Sequence, residues 1–172
     1  MTAGESGPAA LPAETVGRLA RLVHEDYLRR RRAGAGGVPA DGEEQSPSLQ
    51  DWDELPEALR ASNRAQVADI VPKLAQLGYE VVPASEPAAH PLELTEEEVE
   101  RLAQAEHRRF VAERLAAGRA LDPNLLPEPG EPTDLIDWEE LSQPVRDLDR
   151  DAVRLIPRLL AAAGLGVNRT AP

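Results

Sequence analysis

Two stretches of this chain spell the same ordered series of residues 86 positions apart, and that duplication constrains the fold more than any other feature. Asp51-Trp52-Asp53-Glu54-Leu55 leads through Arg60, Asn63-Arg64, Val67 and Ile70 to Gly78. Asp137-Trp138-Glu139-Glu140-Leu141 leads through Arg146, Asp149-Arg150, Val153 and Ile156 to Gly164. Only a proline slips, Pro72 against Pro157. Upstream the copy continues at an offset of 83, pairing Val16 with Val99, Leu19 with Leu102, His24 with His107 and Tyr27 with Phe110. A unit of roughly 75 residues has a thin core, so two copies docked on each other are the more stable solution.

The pattern within each copy is helical. Val16, Leu19, Ala20, Val23 and Tyr27 form one stripe at helical spacing and predict a helix over residues 13–32. Glycine, proline and acidic residues then make residues 33–48 a long loop. Pro56 suits the start of a second helix, Pro72 must kink it or open a new turn, and Gly78 is a left-handed stop. Tyr79 to Val82 reads as a short extended segment. Thr95-Glu96-Glu97-Glu98 is a capping box ahead of a third helix, followed by a second long loop over residues 118–136. The expected fold is all-α with minor short strands, built of two tandem homologous helical repeats packed with pseudo-twofold symmetry. The expected boundaries are a disordered tail at 1–12, repeat one at 13–83, a Pro/Ala linker at 84–94, repeat two at 95–168 and a tail at 169–172.

Composition excludes several function classes. With 172 residues, the chain suits one domain or two small ones. The absence of cysteine removes disulfides, thiolate metal sites and cysteine nucleophiles. A net charge of −12 opposes nucleic-acid polymers and anionic membranes, and the run Arg29 to Arg32 is too short to reverse it. No apolar run approaches a membrane span and residues 1–12 lack signal-peptide character, so a soluble, cytoplasmic protein is expected. No phosphate-binding glycine loop, His-Glu-x-x-His or nucleophile elbow occurs, and two histidines on separate helices make no zinc site. No catalytic residue, metal or cofactor is expected.

The scarce residue types fall at matched positions. Trp52 and Trp138 each precede a helix and read as core anchors. His24 with Tyr27, and His107 with Phe110, place an imidazole and a ring side by side on one helix surface. Two readings stand open for each histidine: a bond to a carbonyl of another helix, or the polar rim of an apolar wall suited to a planar ring. Arg64 and Arg150 recur after Asn63 and Asp149; Asn donates and accepts whereas ionised Asp only accepts, so the copies are not expected to bind a ligand alike.

Taken in order, His-x-x-aromatic, Pro47-x-Leu49, Trp52-Asp53-Glu54-Leu55-Pro56, Asn63-Arg64 and Leu77-Gly78-Tyr79, repeated through His107, Phe110, Trp138 to Leu141, Asp149-Arg150 and Gly164, the chain resembles the ryanodine-receptor repeat (RyR domain) family in its short bacterial or phage form. The resemblance implies tandem helical units forming a clamp whose cleft takes adenine nucleotides and planar molecules. Carried over, it implies a non-enzymatic sensor of a nucleotide or cyclic nucleotide, bound by His24, Tyr27, Asn63 and Arg64 with His107, Phe110, Asp149 and Arg150, and coupled to an effector protein. The chain departs from the family in having Tyr27 and Phe110 where tryptophan is usual, and Asp149 where an amide is usual. The alternative reading is a helical interaction or structural adaptor without a small-molecule ligand.

Overall fold

A computed structural model describes residues 10–34, 47–121 and 137–170. The chain is mostly helical. Helix α1 (Ala13–Gly34) and a turn of 3-10 helix (Pro47–Leu49) precede α2 (Glu57–Ala68), α3 (Ile70–Ala75) and strand β1 (Tyr79–Pro83). Helix α4 (Glu96–Leu121), a second 3-10 turn (Trp138–Glu140), α5 (Gln143–Ala162) and strand β2 (Leu165–Arg169) follow.

Local chemistry accounts for the element ends. The capping box opens α4: the Glu98 amide donates to Thr95 Oγ1 (3.2 Å) and the Thr95 amide to Glu98 Oε2 (3.0 Å). Pro56 stands immediately before α2, where a missing N–H is harmless. Pro72 lies in the first turn of α3, so the helix restarts there after Asp69 instead of kinking. Pro157, by contrast, lies inside α5, which carries on to Ala162. Gly78 and Gly164, at φ +77° and +71°, turn the chain from helix into strand in both copies.

The sheet is a single antiparallel pair. Tyr79 faces Arg169, Val81 faces Val167 and Pro83 faces Leu165. At the offset of 86, Val167 is the copy of Val81, so the pair is centred on one residue and its own duplicate. His90 extends the pairing by a bridge to Val167, with N–H···O distances of 3.1 and 2.9 Å. Leu165 to Arg169 was read as the end of a repeat and a tail; it is a strand. Leu11, read with the leading tail, is buried. Helix α4 continues through Leu121, past the expected loop start at Gly118. Residues 1–9 of that tail and most of both long loops lie outside the described residues.

The described residues divide into two compact units, one holding those up to Leu92 and from Pro157 onward, the other Glu93–Ile156. The first buries Leu19, Ala20 and Val23 of α1, Leu55, Val67, Ile70 and Leu74, and the strand residues Val81, Val82 and Val167. The second buries Val99, Leu102 and Ala103 of α4, Trp138, Leu141, Val153 and Ile156. Aliphatic side chains fill both, as the aromatic content of 3% requires.

Candidate functional site

In the first unit, α1 presents His24 toward the turn that precedes α2. His24 is 3% exposed, and its Nε2–H donates to the Gln50 carbonyl at 2.7 Å. Its ring lies 6.2 Å from Tyr27 at an interplanar angle of 27°, and 6.1 Å from Trp52 at 52°. Tyr27 and Trp52 are half-buried, so this trio keeps part of two rings at the surface. Asn63 donates back to the Leu59 carbonyl of its own helix (3.1 Å), and Arg64 donates to Glu57. The Arg64 guanidinium holds the Glu57 carboxyl below the usual carboxylate range. Asp26, two residues from His24, is buried and ion-paired with Arg29 and, at 2.6 Å, with Arg30.

In the second unit the same positions are bonded differently. His107 is 4% exposed, with Nδ1 3.5 Å from Asp149 Oδ2 and its ring 6.0 Å from Trp138. Trp138 is enclosed by charge. Its indole Nε1–H donates to Glu100 Oε1 (3.2 Å), its carbonyl accepts from Arg146 (2.9 Å), and both Arg146 and Arg150 stand 5.6 Å from its ring centroid. Arg150 grips Glu100 through two parallel bonds of 2.7 and 3.1 Å and reaches Gln143 and Asp147 at 2.9 Å each. Hydrogen bonding from Arg150 above all, with a further bond from Trp138, keeps the Glu100 carboxyl below its ordinary range; partial burial opposes it. Hydrogen bonding to Glu100 and Asp147 raises Arg150 in turn. Phe110 is half-buried, with Arg114 5.4 Å from its ring centroid.

His24, Tyr27 and the anchor Trp52 are therefore brought together in the first unit, as are His107, Asp149 and Trp138 in the second. Arg150 joins the second group through Trp138 and Glu100. Asn63 and Arg64 are committed along their own helix. Glu100 was not singled out from sequence, because one acid among 31 carries little signal. The signal existed in the repeat: at the offset of 83, Glu100 corresponds to Gly17. The buried Glu106, with Arg109 bonded to it at 2.7 Å and to Glu113 at 2.6 Å, was likewise missed.

A surface depression of about 490 Å³ in the first unit is lined by Glu25, Leu28, Arg29, Arg32, Ala33 and Asp51, none of them nominated as ligand-binding from sequence. Among the described residues no group of three or more histidine or acidic side chains is placed to hold a metal ion, and no helix is long and apolar enough to cross a membrane. No family model matches the chain, and no curated protein matches it either.

Proposed function

We propose that the chain is a non-enzymatic ligand-binding module of two RyR-like repeats that takes the planar ring of a nucleotide or nucleotide-derived signal. The observation that carries this reading is the half-buried ring, Tyr27 or Phe110, held one turn beyond a buried histidine in each unit. In the first unit the buried His24 stacks on the half-exposed Tyr27 ring, which limits that ring's orientations and lowers the entropy cost of stacking a second ring against it. The duplication reading is further supported by the strand pair centred on Val81 and its copy Val167. Base–aromatic stacking is worth about 1–3 kcal/mol per base, so two rings sustain binding of roughly micromolar order only with help from charge.

A second reading, a helical interaction or structural adaptor, draws on the bonding of His24, Asn63 and Arg64 within the chain. Those polar groups are committed to partners already, and under this reading the matched residues serve packing alone.

A thermal-shift panel of ATP, cyclic dinucleotides and nucleobases separates the two. A ligand at 100 times its Kd adds about 2.7 kcal/mol. Tyr27→Ala is expected to abolish that response while costing less than the roughly 3–5 kcal/mol of a full aromatic core deletion. No response to any member of the panel would leave the adaptor reading standing.

A further inference from the structure

A buried acid near the end of α1 gathers more arginines than it can neutralise. Asp26 is 7% exposed; its Oδ1 accepts from Arg29 and lies 4.0 Å from Arg158 Nη1, while its Oδ2 stands 2.6 Å from Arg30. Arg29 and Arg158 have no other acidic partner among the described residues, so one carboxylate shared three ways leaves positive charge over. The backbone dipole favours cations at a helix C-terminus, and that accounts for Arg29 to Arg32. It does not account for Arg158, which reaches the same carboxylate from α5 within the first unit.

Arg29 also lines the surface depression of about 490 Å³, together with Arg32 one turn further along α1. That volume falls within the roughly 300–1,000 Å³ of small-molecule sites. Leu28, itself buried, and Ala33 supply its apolar part. Glu25 and Asp51 are its acids, and neither closes it to an anion. The Glu25 carboxylate is held at 2.9 Å by Arg21, which lies outside the lining. Asp51 stands 3.6 Å from Arg32, beyond hydrogen-bond reach, and both side chains are exposed, where such pairs are weak. Arg32 therefore donates no hydrogen bond among the described residues. Asp26, not itself part of the lining, holds Arg29 through Nη2 and leaves its Nε and Nη1 uncommitted among those residues.

We infer that this depression is an oxyanion site, in which Arg29 and Arg32 hold a phosphate group. Two guanidiniums lining one recess suit a phosphate, whose terminal oxygens accept from several N–H donors at once. Asp26 orients Arg29 beforehand, so less side-chain freedom is lost on binding. Asp51 sets the affinity by competing for Arg32. A phosphate fills only part of the recess and leaves Leu28 and Ala33 for an apolar body attached to it. Neither Tyr27 nor Phe110 lines the depression, so the phosphate site and ring binding can fail separately.

The test follows the Arg29 and Arg32 Nε–H resonances by NMR during titration with phenyl phosphate, against sodium chloride at equal ionic strength. Both resonances are expected to move and saturate with the ester and to stay in place with chloride. Arg32→Gln, read at Arg29, should weaken binding at least about tenfold, a loss of 1.4 kcal/mol, and Asp51→Asn should strengthen it. Arg101→Gln removes the same charge from an exposed position of the second unit and should leave binding unchanged. Inorganic phosphate that binds as tightly as the ester makes the free ion the source; weaker binding makes it a phosphorylated small molecule. Equal weakening by Arg32→Gln and Arg101→Gln, shifts that never saturate, an equal response to chloride, or no response at all, overturns the assignment.

Discussion

Glu100 makes an acid-sensitive tie between α4 and α5. Its folded-state pKa lies below the ordinary value because Arg150 bonds the ionised form. The stability it contributes is therefore fully present above the unfolded carboxylate range near 4.5 and is lost as pH falls through the depressed value. Glu100→Gln is expected to cost about 1 kcal/mol at neutral pH, the scale of a part-exposed charge-assisted bond, and to flatten the fall in stability below pH 4.5. Melting temperatures across pH 3 to 7 check this; an unchanged acid profile would refute it. Glu106 should matter more, because it is buried against Arg109. Glu106→Ala leaves the part-buried Arg109 guanidinium with Glu113 as its remaining carboxylate, with an expected loss of about 1.5–3 kcal/mol in denaturant unfolding. At this scale the sequence disclosed scarce residues and hid common ones. Trp138 and Arg150 were visible because they recur, whereas Glu100 and Glu106 look like any solvated helix charge until burial is known.

At the scale of the element, the two glycine turns do the same task and should fail alike. Gly78→Ala and Gly164→Ala each force a side chain into left-handed backbone, at an expected cost of about 1–2 kcal/mol. Gly166→Ala fails for another reason: its Cβ would stand 2.9 Å from the His90 carbonyl oxygen, a backbone atom that cannot swing aside. Hydrogen exchange should show loss of protection at the Val167 and His90 amides in Gly166→Ala and not in Gly164→Ala. The helices and their caps were legible because the apolar spacing and the Thr95-to-Glu98 box act over a few residues. Strand β2 was not, because five residues with no partner nearby in sequence carry too little pattern. Its partner lies a whole repeat away.

For the molecule as a whole, chain order and compactness disagree. The first unit takes its leading residues from one end of the described sequence and Pro157 onward from the other, while Glu93–Ile156 forms the second unit in between. Without β2, the Val81 and Val82 edge of β1 would be bare, an invitation to pairing between molecules. A chain ending at Gly164 is expected to lose cooperative unfolding of the first unit and to associate, measurable by scattering and by protease sensitivity within residues 13–83. On the ribosome the same arrangement sets a schedule. Helix α1 emerges early yet belongs to a unit that stays incomplete until residues 165–169 have been translated, while Glu93–Ile156 emerges whole and is free to fold sooner. Nascent chains stalled before β2 should therefore carry a protease-resistant second unit behind a still-digestible first one.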